Sequence, residues 1–156
     1  MKAAVFHGPG DIRIEDVPEP EPGPGEVKIR VRNCSTCGTD LKIYRFGHYR
    51  IDPPRVMGHE IAGEIVALGE GVTGHEVGDR VQVIAAIPDM ACQECRRGHE
   101  TVCRNQESMG YQYEGGFAEY MIVPRSVLHA GGLNPIPPNR SSCSPITASL
   151  PSGPWR

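Results

Sequence analysis

Glycine and proline interrupt this chain so often that a long helix has little room to form. There are 19 glycines and 15 prolines among 156 residues. Between the breaks lie short runs rich in β-branched residues: "KAAVF", "IRIEDV" and "EVKIRVRN". In the third run, Val27, Ile29 and Val31 alternate with Lys28, Arg30 and Arg32. That period of two predicts a half-buried strand with its basic residues facing outward. "HEIAGEIVALG", "DRVQVIAAI" and "FAEYMIVP" read as further strands, and "GVTGHEVGD" and "YQYEGG" as turns. "CGTDLKIY" breaks the pattern and predicts a short helix with Thr39 or Asp40 near its start. "PEPEPGPGE", residues 18–26, reads as a stiff surface connector. Short strands at regular spacing predict a mainly β, antiparallel, barrel-like domain.

The length suits one domain with a core of its own. A formal net charge of −3 speaks against a nucleic-acid surface, which would carry a basic excess. No run of 18 apolar residues occurs, so no membrane-spanning helix is expected. The opening "MKAAVFHGPGDIRIED" turns acidic too early for a secretory signal, so a cytoplasmic location is expected. "GEGVTG" matches the spacing of a dinucleotide fingerprint, but that motif works only at the start of a helix. "HEVGDRV" follows it, so the segment reads as a turn. From Arg140 the composition changes: residues 140–156 hold five serines and three prolines, with no acidic residue and no apolar period. A disordered or non-native tail is expected there.

Six cysteines carry the chemistry: Cys34, Cys37, Cys92, Cys95, Cys103 and Cys143. In a reducing compartment, clustered cysteines are more often metal ligands than disulfides. Cys34 and Cys37 form C-x-x-C, which is either a redox pair or a single ligand beside a buried thiol. Gly58-His59-Glu60 opens a strand, so His59 and Glu60 face opposite ways unless Gly58 kinks the backbone. In "PDMACQECRRGHETVCRN", residues 88–105, three thiols stand within a dozen positions, one ligand short of a tetrahedral zinc site.

Taken in order, "CGTD" at 37–40, "GHE" at 58–60 with Gly63, Gly69 and Val72, "GDRV" at 78–81, the cysteine lobe and "GGFAEY" at 115–120 are specific. The chain resembles the N-terminal, GroES-like catalytic domain of the zinc-dependent medium-chain alcohol and polyol dehydrogenases, near the sorbitol and threonine dehydrogenase branches. The resemblance covers residues 1–139 and implies a GroES-like antiparallel barrel with short helices and a zinc lobe. It implies that Cys37 and His59 bind a catalytic zinc, with Glu60 a nearby or exchangeable ligand. Thr39 would pass the alcohol proton toward solvent. Asp40 would accept a hydrogen bond from His59 and fix its tautomer. Zinc suits this donor set and, with one position left open, acts as a Lewis acid.

Two departures stand out. Threonine dehydrogenases have a histidine where this chain has Lys42, which cannot shuttle protons near neutral pH at its ordinary pKa. The relay beyond Thr39 is therefore open, with His48 as a stand-in or as a plain loop residue. The family's structural lobe uses four cysteines, spaced C-x2-C-x2-C-x7-C. Here that frame reads Asp89, Cys92, Cys95, Cys103. Asp89 as fourth ligand, His99 as fourth ligand, and no tightly held metal all remain open. No cofactor-binding residue is identified, and NAD(P) is expected only in a longer form carrying a Rossmann domain. Cys143, in the serine-rich tail, is read as a stray thiol. The expectation is thus an alcohol or polyol dehydrogenase domain with Zn2+, oxidising a primary or secondary small-molecule alcohol. It is read as truncated, inactive alone and homo-oligomeric, without nucleic-acid or membrane partners. The alternative is a stand-alone zinc-binding or assembly module without catalysis.

Overall fold

The computed structural model describes residues 1–137. Ten strands dominate: β1 Lys2–Gly8, β2 Asp11–Asp16, β3 Val27–Ser35, β4 Arg55–Val56, β5 Glu60–Leu68, β6 Arg80–Val83, β7 Ala86–Ile87, β8 Glu107–Ser108, β9 Tyr120–Val123 and β10 Leu133–Pro135. Helices are short: α1 Gly38–Phe46, α2 Gln93–Arg96 and α3 Arg125–His129, with a 3-10 turn at Glu100–Val102. The expected mainly β, antiparallel architecture is present, and every ladder between named strands is antiparallel. The disordered or non-native tail expected from residue 140 lies outside the described residues.

A five-stranded sheet runs β10-β6-β5-β3-β9, a three-stranded sheet β2-β1-β4, and β7 pairs with β8. The two larger sheets are tied together. Ala4 N donates to Phe117 O at 2.8 Å, and Ala3 bridges to Ala118 just before β9. The main core gathers Val27, Ile29, Ile61, Ile65, Val81, Met121 and Val123, all at most 1% exposed. These are the alternate positions of β3, β5, β6 and β9, as the period of two requires. A second cluster of Phe6, Ile43, Ile51 and Met57 anchors α1 and the loop after it.

Lys28 departs from the sequence expectation. It was expected to face water with Arg30 and Arg32, yet it is only 6% exposed. The connector 18–26 folds over it. Glu19 and Glu21 approach its ammonium at 2.6 and 3.0 Å, and the cation stands 5.4 Å from the Tyr120 ring centroid. Glu19's carboxylate, with Glu21's, holds the Lys28 pKa above its ordinary value. The acidic, proline-stiffened connector is thus a lid over one cation, since a buried charge needs a partner.

β3 is not a regular strand. Its register against β5 shifts between Lys28 and Ile29 and again between Val31 and Asn33. The second shift lies opposite Gly63, where a Cβ would stand 2.6 Å from the Arg30 carbonyl oxygen. Only glycine lets the strands approach so closely. Gly63→Ala is expected to destabilise the domain by about 1–3 kcal/mol, the usual cost of overpacking against backbone. A lowered urea midpoint with an unchanged slope is the expected readout.

Candidate metal centres

The first cluster is assembled by the ends of two elements. Cys37 is the N-cap of α1: its Sγ accepts from Thr39 N at 3.3 Å, and Asp40 Oδ2 accepts from Cys37 N at 2.9 Å. This reciprocal pairing satisfies donors that a helix start leaves open. It also fixes Cys37 and Asp40 relative to each other. His59 arrives from the opposite direction, just before β5. Cys37 Sγ lies 3.2 Å from His59 Nε2, and Asp40 Oδ1 lies 3.6 Å from His59 Nδ1. The ring therefore presents Nε2 to the thiol and Nδ1 to the carboxylate. A metal-bound histidine characteristically faces a carboxylate with its second nitrogen. Asp40 Oδ1 is buried and makes no hydrogen bond. Asp40 is therefore both a helix cap and a partner for the ring, two roles that one carboxylate's two oxygens can divide.

Gly58 makes the approach of His59 possible. Its φ is +95°, a conformation that L side chains rarely adopt. A Cβ there would also stand 2.8 Å from both Cys34 Sγ and a Phe117 ring carbon. The "GGF" of residues 115–117 lies along the same stretch, with Gly116 N donating to Gly58 O and Phe117 N to Met57 O, both at 2.9 Å. The kink anticipated at Gly58 is thus present, locked by a backbone ladder.

The other residues expected at this site fall as follows. Thr39 is exposed, two residues along the chain from Cys37. Glu60 Oε2 is buried without a hydrogen bond, but Glu60 is not in the group of ligand atoms formed by Cys37, Asp40 and His59. Lys42 is exposed. His48 Nδ1 accepts from Arg50 N at 3.2 Å, so the neutral ring carries its proton on Nε2. Cys34 stays out of the cluster, and burial pushes its thiol up to about 12. A thiol so raised is inert, which favours the buried-hydrophobe reading of the C-x-x-C over the redox one.

Tyr111 was not anticipated. Its ring centroid lies 6.5 Å from that of His59. Burial raises its hydroxyl pKa, and the negative charges of Asp40 and Cys37 raise it further. Nothing in "MGYQYEGG" marks this residue, because its position follows from a loop crossing over the site.

The second cluster holds Asp89, Cys92, Cys95 and Cys103, whose ligand atoms all lie within 4.8 Å of one another. Cys92 caps α2, and its Sγ stands 3.5 Å from Cys95 Sγ and 3.9 Å from Cys103 Sγ. Asp89 Oδ1 accepts from Ala91 N and Cys92 N at 2.9 Å, and Oδ2 accepts from Asn105 Nδ2 at 2.6 Å. These bonds, the Cys92 N–H first, hold its pKa well below the ordinary carboxylate range. Burial pushes the Cys95 thiol up to about 12. His99 is exposed and lies outside the group. The Arg104 guanidinium donates to Glu94 at 3.0 Å. A cavity of about 620 Å³ exists elsewhere, lined by residues such as Val5, Val17, Val56 and Ile122. None of its lining residues belongs to either cluster, so size does not mark the chemistry here.

Residues 23–134 match the family model for the alcohol dehydrogenase GroES-like domain. The chain belongs to this family. Over 132 residues it is 42% identical to sorbitol dehydrogenase of Halalkalibacterium halodurans, covering 83% of this chain and 38% of that one. Over 98 residues it is 51% identical to L-threonine 3-dehydrogenase of Pyrococcus horikoshii, covering 61% of this chain and 28% of that one. The crystal structure of 2R,3R-butanediol dehydrogenase from Bacillus subtilis superposes with a TM-score of 0.78 at 36% identity, covering 90% of this chain and 42% of that one. The chain thus spans well under half the length of these dehydrogenases.

Two outcomes test the geometry. Gly58→Ala is expected to weaken metal binding at Cys37 and His59 while leaving the lobe unaffected, as read by metal titration. Cys34 is expected to alkylate at pH 8 roughly three orders of magnitude more slowly in the folded than in the unfolded chain. Its rate should keep rising with pH up to about 12, the pKa of the buried thiol.

Proposed function

We propose that this chain is the metal-holding half of an active site in an NAD(P)-dependent alcohol or polyol dehydrogenase, organised as a catalytic domain over residues 1–139. The observation that carries this reading is Cys37 Sγ at 3.2 Å from His59 Nε2, with Asp40 on the other side of the ring. Thiol, imidazole and buried carboxylates fit zinc, and Cys37 and His59 would hold it, with Glu60 in reserve. Bound zinc supplies Lewis acidity that makes an alcohol hydroxyl easier to deprotonate. The chain's own residues do the rest. Asp40 keeps the His59 proton on Nδ1, so that Nε2 is free to bind metal. Thr39, at the exposed end, offers a hydroxyl through which the alcohol proton leaves.

Asp89, Cys92, Cys95 and Cys103 would hold a second, structural zinc. Three thiolates and one carboxylate leave that site at net −2, which favours retention of a divalent cation. The substrate is a small primary or secondary alcohol, in keeping with relatives named for sorbitol, threonine and butanediol. The hydride acceptor, NAD(P), is assigned to residues beyond those described, because the GroES-like part holds no βαβ unit among its described residues. Free thiols fit a reducing, cytoplasmic setting: no described cysteine is in a disulfide. Exposed Phe46, Tyr49 and Val77 suit self-association into a homo-oligomer.

The test is a metal count. The 156-residue chain is expected to bind two zinc ions. Cys95→Ser should remove the one that resists mild chelation, and Cys37→Ser the one lost first. Titration with NAD or NADP should give no binding and no alcohol turnover in this chain alone, since nothing positions the acceptor. Metal content that Cys37→Ser leaves unchanged would sink the catalytic assignment, and micromolar cofactor affinity would sink the division of labour.

A further inference from the structure

β2 forms the outer edge of the three-stranded sheet, and among the described residues no strand lies beyond it. Two hydrogen bonds fix which of its backbone groups face outward. Met1 N donates to Val17 O at 2.8 Å, and Val17 N donates to Met1 O at 2.9 Å. Met1 and Val17 thus form a hydrogen-bonded pair that continues the β1–β2 ladder. In an antiparallel ladder such pairs alternate with pairs whose backbone groups point away from each other. Lys2↔Asp16, Ala4↔Ile14 and Phe6↔Ile12 belong to the second kind. Ala4 confirms the phase, since its N–H turns the other way, to Phe117 O at 2.8 Å. The N–H and C=O groups of Ile12, Ile14 and Asp16 therefore point out of the sheet edge.

Ile14 is 71% exposed on this edge and Ile12 39%. Open edges are commonly blunted by lysine or proline, and "DIRIED" holds neither. A row of free donors and acceptors flanked by exposed isoleucines suits another strand, and the strand's own charge pattern identifies which. When two antiparallel copies of β2 pair about Ile14, Ile14 meets Ile14 and Ile12 meets Asp16, all with outward-pointing backbone groups. Arg13 then meets the other copy's Glu15 on both sides of the axis, in the pairs whose side chains approach most closely. Asp16 already has Lys2 at 2.6 Å, so its charge is matched. Centring on Arg13 or on Glu15 sets like charges face to face, and centring on Ile12 drives Ile14 onto the turn at Gly10. Within one copy Arg13 meets Asp11 at 2.6 Å and Glu15 meets His7 at 2.8 Å. Such surface pairs stabilise little and can be shared with a second strand.

We propose that β2 is a self-recognition edge: two copies of this chain join β2 to β2, antiparallel, about a two-fold axis at Ile14, and one sheet runs through both. This rests on the reading of the chain as homo-oligomeric and gives that assembly its surface. The contact is isologous, so it closes as a dimer and leaves neither β2 edge open. Neither metal cluster contributes a residue to it.

The experiment is sedimentation equilibrium on the zinc-loaded 156-residue chain over a concentration series. The wild type is expected to show a monomer–dimer equilibrium. Arg13→Glu and Glu15→Arg, each alone, set like charges across the axis and should raise the dimer dissociation constant about tenfold. Mixed in equal amounts, the two variants should dimerise with each other at close to the wild-type affinity, because each reversed charge then meets its opposite on the other chain. Mixing cannot mend a variant that has failed to fold, so this outcome reports the register itself. Ile14→Lys should stay monomeric, alone and in either mixture. A wild type that remains monomeric overturns the edge together with the homo-oligomer reading. A wild-type dimer that all three variants retain overturns the edge alone, as does a mixture that stays as dissociated as its components.

Discussion

At Gly58 the backbone turns through a positive φ with Cys34 Sγ and the Phe117 ring pressed against its Cα, while Gly115 and Gly116 lie flat along the same stretch. No side chain fits between these layers. The contact fixes where β5 begins, and so where His59 sits. It buries Cys34 and removes that thiol from chemistry. It also carries the segment leading to β9, through which the three-stranded and five-stranded sheets are joined. Any loosening here would move His59 away from Cys37, whose own position depends only on the start of α1.

The two clusters solve one electrostatic problem in different ways. Around Cys37, negative groups are spread over separate elements, and one carboxylate divides its oxygens between a backbone N–H and an imidazole. In the lobe, Asp89 and three cysteines come from one short segment folded round itself, and Asp89's oxygens are already engaged by backbone and Asn105. Gathered thiolates and an ionised carboxylate repel one another unless a cation stands among them. The local chain therefore suits a closed, structural metal better than an open one.

Much of this was legible from the chain alone. The alternation in "EVKIRVRN" and "HEIAGEIVALG" gave β3 and β5, because burial on one face imposes a period of two whatever the neighbours are. The kink at Gly58 was readable because His59 and Glu60, adjacent at the start of a strand, would otherwise face opposite ways. The lobe's frame was readable because Asp89, Cys92, Cys95 and Cys103 lie within 15 residues, so sequence spacing nearly equals spatial spacing. Lys28 was misread because its partners come from the 18–26 connector, and alternation carries no information on which loop folds over a face. The five-residue α3 and the strand β10 went unnoticed, being too short to show a period.

Residue type and order determined the strand-rich fold, the family, the cap that sets Cys37 against Asp40, and the ligand frame of the lobe. All are local: each depends on groups within one element or one short loop, where covalent geometry limits the choices. Tertiary structure alone decided the rest. It brought His59 Nε2 to Cys37, kept Cys34 out of that cluster, set Asp89 rather than His99 among the lobe's thiols, and carried Tyr111 towards His59. Those placements depend on how loops distant in sequence pack across β-sheet edges. Many loop paths share the same local propensities, and only burial of the shared core selects among them.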